Sequence, residues 1–224
     1  MKIAVIDSGI SAVHPHVRAI SGGIGVTGAE GWMEDTSDRL GHGTTVAAVI
    51  REKVPDADLF AVKVFDRNLS VRAEVIGRAL NWCRYHGMDL VNLSIGVDDA
   101  SQRAALESAV AGLLVVSVAS QLPGCLPGVI AVAATEACPR DEFRYHEGVF
   151  YASPYPRPAT RSAFKGVDFA VANMTGIVAR VLPSIMRRGE PVSTLRTRLI
   201  WELTACEETQ KSLPSTLSPR LGPA

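Results

Sequence analysis

The sequence predicts an α/β fold in which a mostly parallel sheet lies between two layers of helices, forming a three-layer sandwich. Short apolar runs alternate along the chain with longer segments of helical period, which is the pattern of strands joined by crossover helices. The apolar runs are rich in Val, Ile, Leu and Ala and are continuous. Continuous runs are expected where helices cover both faces of a sheet.

The composition fits one domain. The chain has 224 residues, of which 47% are hydrophobic, and this is enough to bury a large core. We expect a single domain over residues 1–210 and a loose or wrapping tail over residues 211–224, which contain prolines and serines without periodicity. Lys plus Arg and Asp plus Glu both total 23, and no long block of like charge occurs, which argues against a nucleic-acid partner.

Targeting and redox signals are weak. Residues 1–7 have the pattern of a core strand rather than a signal peptide, and no apolar stretch is long enough to span a membrane. We therefore expect a cytoplasmic protein with reduced thiols, no membrane association and no cofactor. The scattered cysteines indicate neither a zinc site nor a disulfide framework; they are Cys83, Cys125, Cys138 and Cys206.

Five apolar runs are predicted as strands, and two long segments between them, residues 21–40 and 138–165, are predicted as irregular surface structure. The predicted strands are residues 2–6, 59–65, 90–94, 113–118 and 129–133.

Five segments of helical period are predicted as helices. Ser70 is a candidate N-cap for the second, Gly87 and Gly112 follow the second and third, and Pro183 is predicted to end the fourth. The predicted helices are residues 42–53, 71–86, 101–111, 168–182 and 192–204.

Three polar residues are predicted to meet at one edge of the sheet. Asp7 ends the first strand, His42 begins the first helix and Asp168 begins the fourth, and ligands of parallel sheets bind at the carboxyl ends of the strands. Taken alone, Asp7 could be a turn or cap residue, and His42 could be a residue that tolerates an unusual backbone conformation between two glycines. Together, in this order, they match the orienting carboxylate and the base of a serine hydrolase.

Four motifs within residues 2–182 resemble those of the subtilisin-like serine peptidases, the subtilase family. The aspartate motif is AVIDSGI at residues 4–10, and the histidine motif is GHGTTVA at residues 41–47, with Thr45 where a second histidine is common. AVKV at residues 61–64 resembles the third core strand of the family, and NLSIG at residues 92–96 resembles the segment whose edge pairs with substrate backbone. The resemblance implies a subtilisin-like sandwich with Asp7 and His42 in the catalytic positions.

The sequence departs from the family pattern at two positions that matter for catalysis. The nucleophile of the family lies in Gly-Thr-Ser-x-Ala, and the matching residues 166–170 are GVDFA, which puts Asp168 at the nucleophile position. The oxyanion asparagine follows Ala-Gly, and the matching residues 119–121 are ASQ, which puts Gln121 there. Ser162 lies nearby, but an alignment that uses it as the nucleophile loses the helix that presents the nucleophile.

These departures imply little hydrolytic activity. In subtilisin, loss of the nucleophile lowers turnover about 10⁶-fold, and loss of an oxyanion donor lowers it about 10²- to 10³-fold. Attack of the Asp168 carboxylate on an amide would give an anhydride with a poor amine leaving group. Aspartic-protease chemistry needs two adjacent carboxylates that share a proton, whereas His42 is expected between Asp7 and Asp168. We expect an ion triad instead, with a raised pKa for His42.

The resemblance also implies a peptide-binding groove, and peptide binding is the function that would remain without hydrolysis. Family substrates bind as an added strand beside the segment that matches Ser94, Ile95 and Gly96, and such binding needs no nucleophile. We therefore expect a non-catalytic homologue whose partner is a peptide or protein, including an active protease or a peptide-modifying enzyme. Short segments at 64–70 and 121–129 further imply no structural calcium.

Two other classes of function stay open at the level of sequence. One is an active endopeptidase with a recruited serine or a site completed by a second chain, and the other is a structural protein whose fold scaffolds an oligomer. His14, Pro15 and His16 follow Asp7 and form either a solvated turn or part of the groove wall.

Overall fold

The computed structural model describes residues 1–26, 31–66, 71–156 and 164–205. Within these ranges the chain forms nine strands. They are β1 Lys2–Asp7, β2 Gly22–Val26, β3 Trp32–Met33, β4 Asp58–Lys63, β5 Leu90–Leu93, β6 Val115–Val118, β7 Ile130–Ala134, β8 Phe143–His146 and β9 Val149–Ala152.

The strands form one sheet in the order β3-β2-β4-β1-β5-β6-β7-β9-β8. The two outermost pairs, β2 with β3 and β8 with β9, are antiparallel, and all the neighbouring pairs between them are parallel. This mostly parallel sheet, with helices on both faces, confirms the predicted three-layer α/β sandwich.

Two layers of helices enclose the sheet. In β1, Ile3 and Val5 belong to one apolar core, while Ala4 and Ile6 belong to the other. The first core is completed by α1, α4 and α5, and the second by α2 and α3, so both faces of β1 are buried and its apolar run is continuous. The helices are α1 His42–Lys53, α2 Ala73–Tyr85, α3 Arg103–Val110, α4 Val167–Ile185 and α5 Val192–Thr204.

Both segments predicted as irregular contain strands, so that prediction was wrong. β2 reads GGIGV, and its glycines conceal it from a search for apolar runs. They are needed because a Cβ at Gly23 would lie 2.2 Å from the carbonyl oxygen of Ala61 in the neighbouring β4. In the second segment, β8 and β9 form a hairpin whose turn residues Glu147 and Gly148 both have positive φ, 47° and 84°.

The prediction that Pro183 ends the fourth helix was also wrong, since α4 continues to Ile185 with Pro183 inside it. The proline removes one backbone donor, but the next turn is closed by the Met186 N–H, which donates to the Leu182 carbonyl at 2.9 Å. Helix α4 therefore keeps its last turn.

Three of the predicted features fall outside the described residues: the candidate N-cap Ser70, Cys206 and the tail at residues 211–224. The described cysteines, Cys83, Cys125 and Cys138, are free thiols. Among the described helices, none combines the length and the apolar character needed to cross a bilayer.

Candidate active site

Asp7 lies at the carboxyl end of β1, between β4 and β5. Its side chain is completely buried, and the Ser8 N–H donates to its Oδ1 at 2.7 Å. The Asp7 oxygens also contact Nδ1 of His42, at 2.8 and 3.0 Å. A buried carboxylate in this position fixes the orientation of the imidazole.

His42 is the first residue of α1, and the glycines beside it have separate roles. Gly41 adopts φ 77°, a left-handed conformation that favours glycine. A Cβ at Gly43 would lie 2.3 Å from the Gly9 carbonyl oxygen and 3.0 Å from the Asp7 Cβ. The Gly-His-Gly sequence therefore lets the start of α1 approach β1 closely enough for His42 to reach Asp7.

Asp38 organises the start of α1 and was missed by the sequence analysis. Its Oδ1 accepts hydrogen bonds from the Ser8 hydroxyl and the Gly41 N–H, at 2.9 and 2.8 Å, and its Oδ2 accepts from the Thr44 N–H and hydroxyl, at 2.8 and 2.6 Å. Burial would raise the pKa of Asp38, but hydrogen bonds from Thr44, Ser8 and Gly41 outweigh burial and lower it. Asp38 lies four residues before the helix begins, outside the usual N-cap position, so the capping signal did not identify it.

Asp168 is the second residue of α4, which packs against α1. Its Oδ2 lies 3.3 Å from Nε2 of His42, on the opposite side of the ring from Asp7. The ring of Phe169 lies beside the imidazole, with centroids 5.6 Å apart. The structure therefore brings together the three residues that the sequence analysis placed at one edge of the sheet, with His42 between two carboxylates.

The two carboxylates change the protonation of His42. Burial alone would lower its pKa, but hydrogen bonds to Asp168 and Asp7, with the charges of both groups, raise the pKa from 6.5 to about 10. At neutral pH the imidazole is therefore protonated, and both ring nitrogens donate. An imidazolium cannot accept a proton from a nucleophile, so the arrangement is unsuited to general-base catalysis.

Gln121, at the predicted oxyanion position, contacts different groups. Its Nε2 donates to Oδ2 of Asp98 at 3.3 Å. A Cβ at Gly96 would lie 2.4 Å from the Gln121 Cβ, so the Gln121 side chain passes over the Gly96 backbone. In the described part of the chain, no hydrogen bond joins Gln121 to His42 or Asp168.

The predicted peptide-binding segment continues from β5. Ser94 is buried, and its hydroxyl donates to Oδ1 of Asn92 at 2.9 Å, while the Asn92 amide donates to the Thr175 hydroxyl of α4 at 2.9 Å. Beyond Gly96, Val97 pairs with Leu122 through reciprocal backbone hydrogen bonds of 2.9 and 3.1 Å. The segment is thus held at both ends.

Between those ends, Ile95 packs against the core that α2 and α3 share with the sheet. Over the described ranges, the backbone hydrogen bonds outside helices and strands include those of Val97 but none of Ile95. The strand edge at Ile95 is therefore available for pairing.

The alternative nucleophile Ser162 lies outside the described residues. Among the described residues, no group of three or more His, Cys, Asp or Glu side chains is placed to hold a metal ion. The predicted absence of structural calcium stays a prediction.

The sequence matches the family model described as "Subtilase family" over residues 1–221. It is 35% identical over 156 residues to the thermostable alkaline protease of Halalkalibacterium halodurans, covering 60% of this chain and 41% of that protein. It is 31% identical over 211 residues to the M-protease of Shouchella clausii, covering 81% and 53%, and equally identical to Subtilisin Savinase of Lederbergia lenta, covering 81% and 76%. The chain thus spans about half the length of the first two relatives.

Solved structures share the fold. The structure of Sphericase superposes with a TM-score of 0.67 at 22% identity, covering 88% of this chain and 81% of that one. A lanthipeptide protease superposes with a TM-score of 0.66 at 20% identity, covering 88% and 78%. At these identities the likeness establishes the architecture.

Proposed function

Since the chain belongs to the subtilase family, whose members are normally serine peptidases, we propose that it is a catalytically inactive member that binds a peptide or protein through the former substrate groove. The observation that carries this proposal is the contact between Asp168 and His42. The Asp168 carboxylate, which the motif comparison puts at the nucleophile position of the family, lies 3.3 Å from Nε2 of the histidine.

The electrostatics of the site support the loss of hydrolysis. Serine-peptidase chemistry requires a neutral histidine that takes a proton from the nucleophile. Here the two carboxylates raise the pKa of His42 to about 10, and the acceptor nitrogen that faces the nucleophile position is protonated and occupied by Asp168. Gln121 directs its amide to Asp98, so two contributions to catalysis are lost together.

The peptide-binding half of the proposal rests on the edge at residues 94–96. Buried hydrogen bonds through Ser94 and Asn92 tie this edge to α4, whose first turn carries Asp168. A partner that pairs with the Ile95 backbone would add a strand at the edge, and main-chain hydrogen bonds would supply its affinity.

The partner that we propose is a peptide acted on by another enzyme, or that enzyme itself. Loss of hydrolysis with retention of the groove leaves recognition as the useful property of the site. The lanthipeptide protease among the structures of the same fold directs this proposal toward peptide substrates of an active protease or a peptide-modifying enzyme.

One observation favours a second candidate, an active endopeptidase whose nucleophile is atypical or comes from another chain. The hydrogen bond between Asp7 and His42 is retained at 2.8 Å, as an active site would require. This candidate predicts cleavage that depends on His42.

The two candidates are separated by incubating the protein with a diverse peptide library and analysing the products by mass spectrometry. The matched variants are His42→Ala and Asp168→Ala, and binding of the same library is measured in parallel by retention on immobilised protein. The proposal expects intact peptides and saturable binding that Gly96→Pro weakens. New peptide termini that disappear in both alanine variants would overturn it in favour of the endopeptidase.

A further inference from the structure

A second groove lies beside α1, outside the Asp7–His42–Asp168 site. It encloses about 610 Å³, within the range of about 300–1,000 Å³ that ligand pockets usually have. Its walls are the loop that follows β1, the outer face of α1 and the segments that carry Arg140 and Pro156. We call it the basic groove, and its polar lining includes His14, His16, Arg18, Thr45, Arg51 and Arg140.

The basic groove carries an excess of positive charge. Three arginines and two histidines line it, and Glu52 is the single carboxylate among the described lining residues. Glu52 is already engaged, because Nη1 and Nη2 of Arg140 donate to its two oxygens at 2.9 and 2.7 Å. The chain as a whole has no net charge, so the positive potential is local to this surface.

Arg51 is a fixed, buried charge in the wall of the basic groove. Its side chain is 8% exposed, and its guanidinium donates to four backbone carbonyls at 2.7 to 3.0 Å. These carbonyls are neutral acceptors, so the guanidinium keeps its full positive charge. They belong to Val17, Ala19, Pro55 and Ala57.

Arg18 brings a second unpaired charge close to the first. Burial lowers the pKa of Arg51, the charge of Arg18 lowers it further, and the charges of Asp56 and Asp58 oppose the shift. Over the described ranges, neither Arg18 nor Arg51 has an ion pair with a carboxylate. Two neighbouring guanidinium groups that form no ion pair with a described carboxylate make a site that an anionic ligand would stabilise.

The basic groove lies within one helical turn of the candidate active site. Thr45 lines it and lies three residues after His42 on α1, which places the two residues one above the other on the helix. On the opposite wall, Arg140 donates to the Tyr155 carbonyl, which also accepts from Asn173 of α4. His42 and the groove wall at Thr45 are therefore neighbours on α1.

We propose that the basic groove binds an acidic segment of the peptide partner, with glutamate or aspartate carboxylates held by Arg18 and by the ring N–H groups of His14 and His16. This inference rests on the proposed peptide-binding function and specifies which peptides are held. Guanidinium groups bind carboxylates through paired hydrogen bonds. The buried charge of Arg51 in the wall of the groove adds electrostatic attraction. A peptide that spans the strand edge at residues 94–96 and the basic groove would have its acidic residues in the part that lies in the basic groove.

The test compares two fluorescent peptides of equal length, one rich in glutamate and the other with glutamine at the same positions. Their affinities for the full chain are measured by fluorescence anisotropy at low and high salt. We expect the glutamate peptide to bind about tenfold more tightly than the glutamine peptide at low salt, a difference of about 1.4 kcal/mol, because hydrogen bonds to charged groups are stronger than those between neutral groups. The preference should decrease at high salt.

Arg18→Gln should remove most of this preference, and because the side chain is exposed the variant should fold. The matched control is Arg103→Gln, an exposed arginine at the start of α3, in the helix layer on the other face of the sheet. Equal binding of the two peptides by the unchanged protein would overturn the inference, as would loss of the preference in the control variant.

Further outcomes separate this inference from the proposed function. If both peptides bind equally and Gly96→Pro weakens both, the strand edge is supported and the basic groove is excluded. If the glutamate preference depends on Arg18 but not on Gly96, the basic groove is supported and the proposed function is excluded. If inorganic phosphate binds as tightly as the glutamate peptide, the ligand of the basic groove is a small anion and the inference is overturned. If neither peptide binds, both proposals are overturned.

Discussion

The two sides of His42 differ in how far they keep the geometry of a serine peptidase. The side toward Asp7 is intact: a buried carboxylate contacts Nδ1 at 2.8 Å, and Asp38 and Gly43 hold the start of α1 in place. The side toward Asp168, which we propose is altered, has a carboxylate oxygen 3.3 Å from Nε2. The position of His42 is thus set on the Asp7 side, whereas its protonation depends on both carboxylates.

The difference has a structural basis. The Asp7 side lies between β1 and α1, and the Asp7 side chain is completely buried. The Asp168 side is the first turn of α4, where the carboxylate is 34% exposed. Substitution on the Asp7 side is therefore expected to disturb packing as well as chemistry, whereas substitution on the Asp168 side is expected to act through charge.

The largest expected effect is a gain of function on the altered side. Asp168→Ser combined with Gln121→Asn should produce peptide cleavage, because the serine supplies a hydroxyl and removal of the carboxylate lets His42 become neutral. Loss of the nucleophile in subtilisin costs about 10⁶-fold in turnover, so even partial recovery should give an increase of several orders of magnitude. The measurement is hydrolysis of a peptide library, followed by mass spectrometry.

The control for this gain is the same double variant with His42→Ala, which should show no cleavage. Absence of cleavage in the double variant itself, with unchanged folding, would show that the altered side differs from a working site by more than these two residues. Cleavage that persists without His42 would indicate a contaminating peptidase.

A smaller effect concerns the charge of His42. Its pKa is raised from 6.5 to about 10, so its contribution to stability is fully present below about pH 6.5 and is lost as the pH rises through about 10. Asp168→Asn should lower this pKa and should destabilise the protein most near pH 6, where a carboxylate is ionised and the imidazole is charged, by roughly 1.4 kcal/mol for each unit by which the pKa falls. An NMR titration of the imidazole and urea unfolding at several pH values measure the two quantities.

The exposed pair of His146 and Glu147 on the hairpin turn provides the control. Glu147→Gln should leave both the titration of His42 and the pH dependence of unfolding unchanged. A wild-type His42 that is neutral at pH 6, or one whose titration is the same with asparagine at position 168, would refute the ion triad.

The sequence predicted those parts of the molecule that depend on local pattern. The bounds of α1 and α5 were correct, and the convergence of Asp7, His42 and Asp168 followed from motif order and sheet topology. The predicted domain limits, partner and cytoplasmic location stay predictions.

The missed features depend on contacts between distant residues. Strand β2 is specified by the close approach of its glycines to β4, and Asp38 is specified by donors that fold back onto it. The basic groove is formed by α1 and loop segments that meet only in three dimensions. Neither residue spacing nor composition encodes these contacts directly.

The smallest expected effect concerns two glycines, Gly43 at the start of α1 and Gly166 just before α4, which test whether the two sides of His42 are equally constrained. A Cβ at Gly43 would lie 2.3 Å from the Gly9 carbonyl, whereas the nearest atom to a Cβ at Gly166 is Oδ2 of Asp168 at 3.7 Å. Gly43→Ala should therefore destabilise the protein by about 1–3 kcal/mol, the usual cost of overpacking, and should move His42 away from Asp7. Gly166→Ala should change the free energy of unfolding by only about 0.5 kcal/mol. Urea unfolding of both variants, with the NMR titration of His42, measures the contrast, and equal costs at the two positions would mean that the two sides are equally constrained.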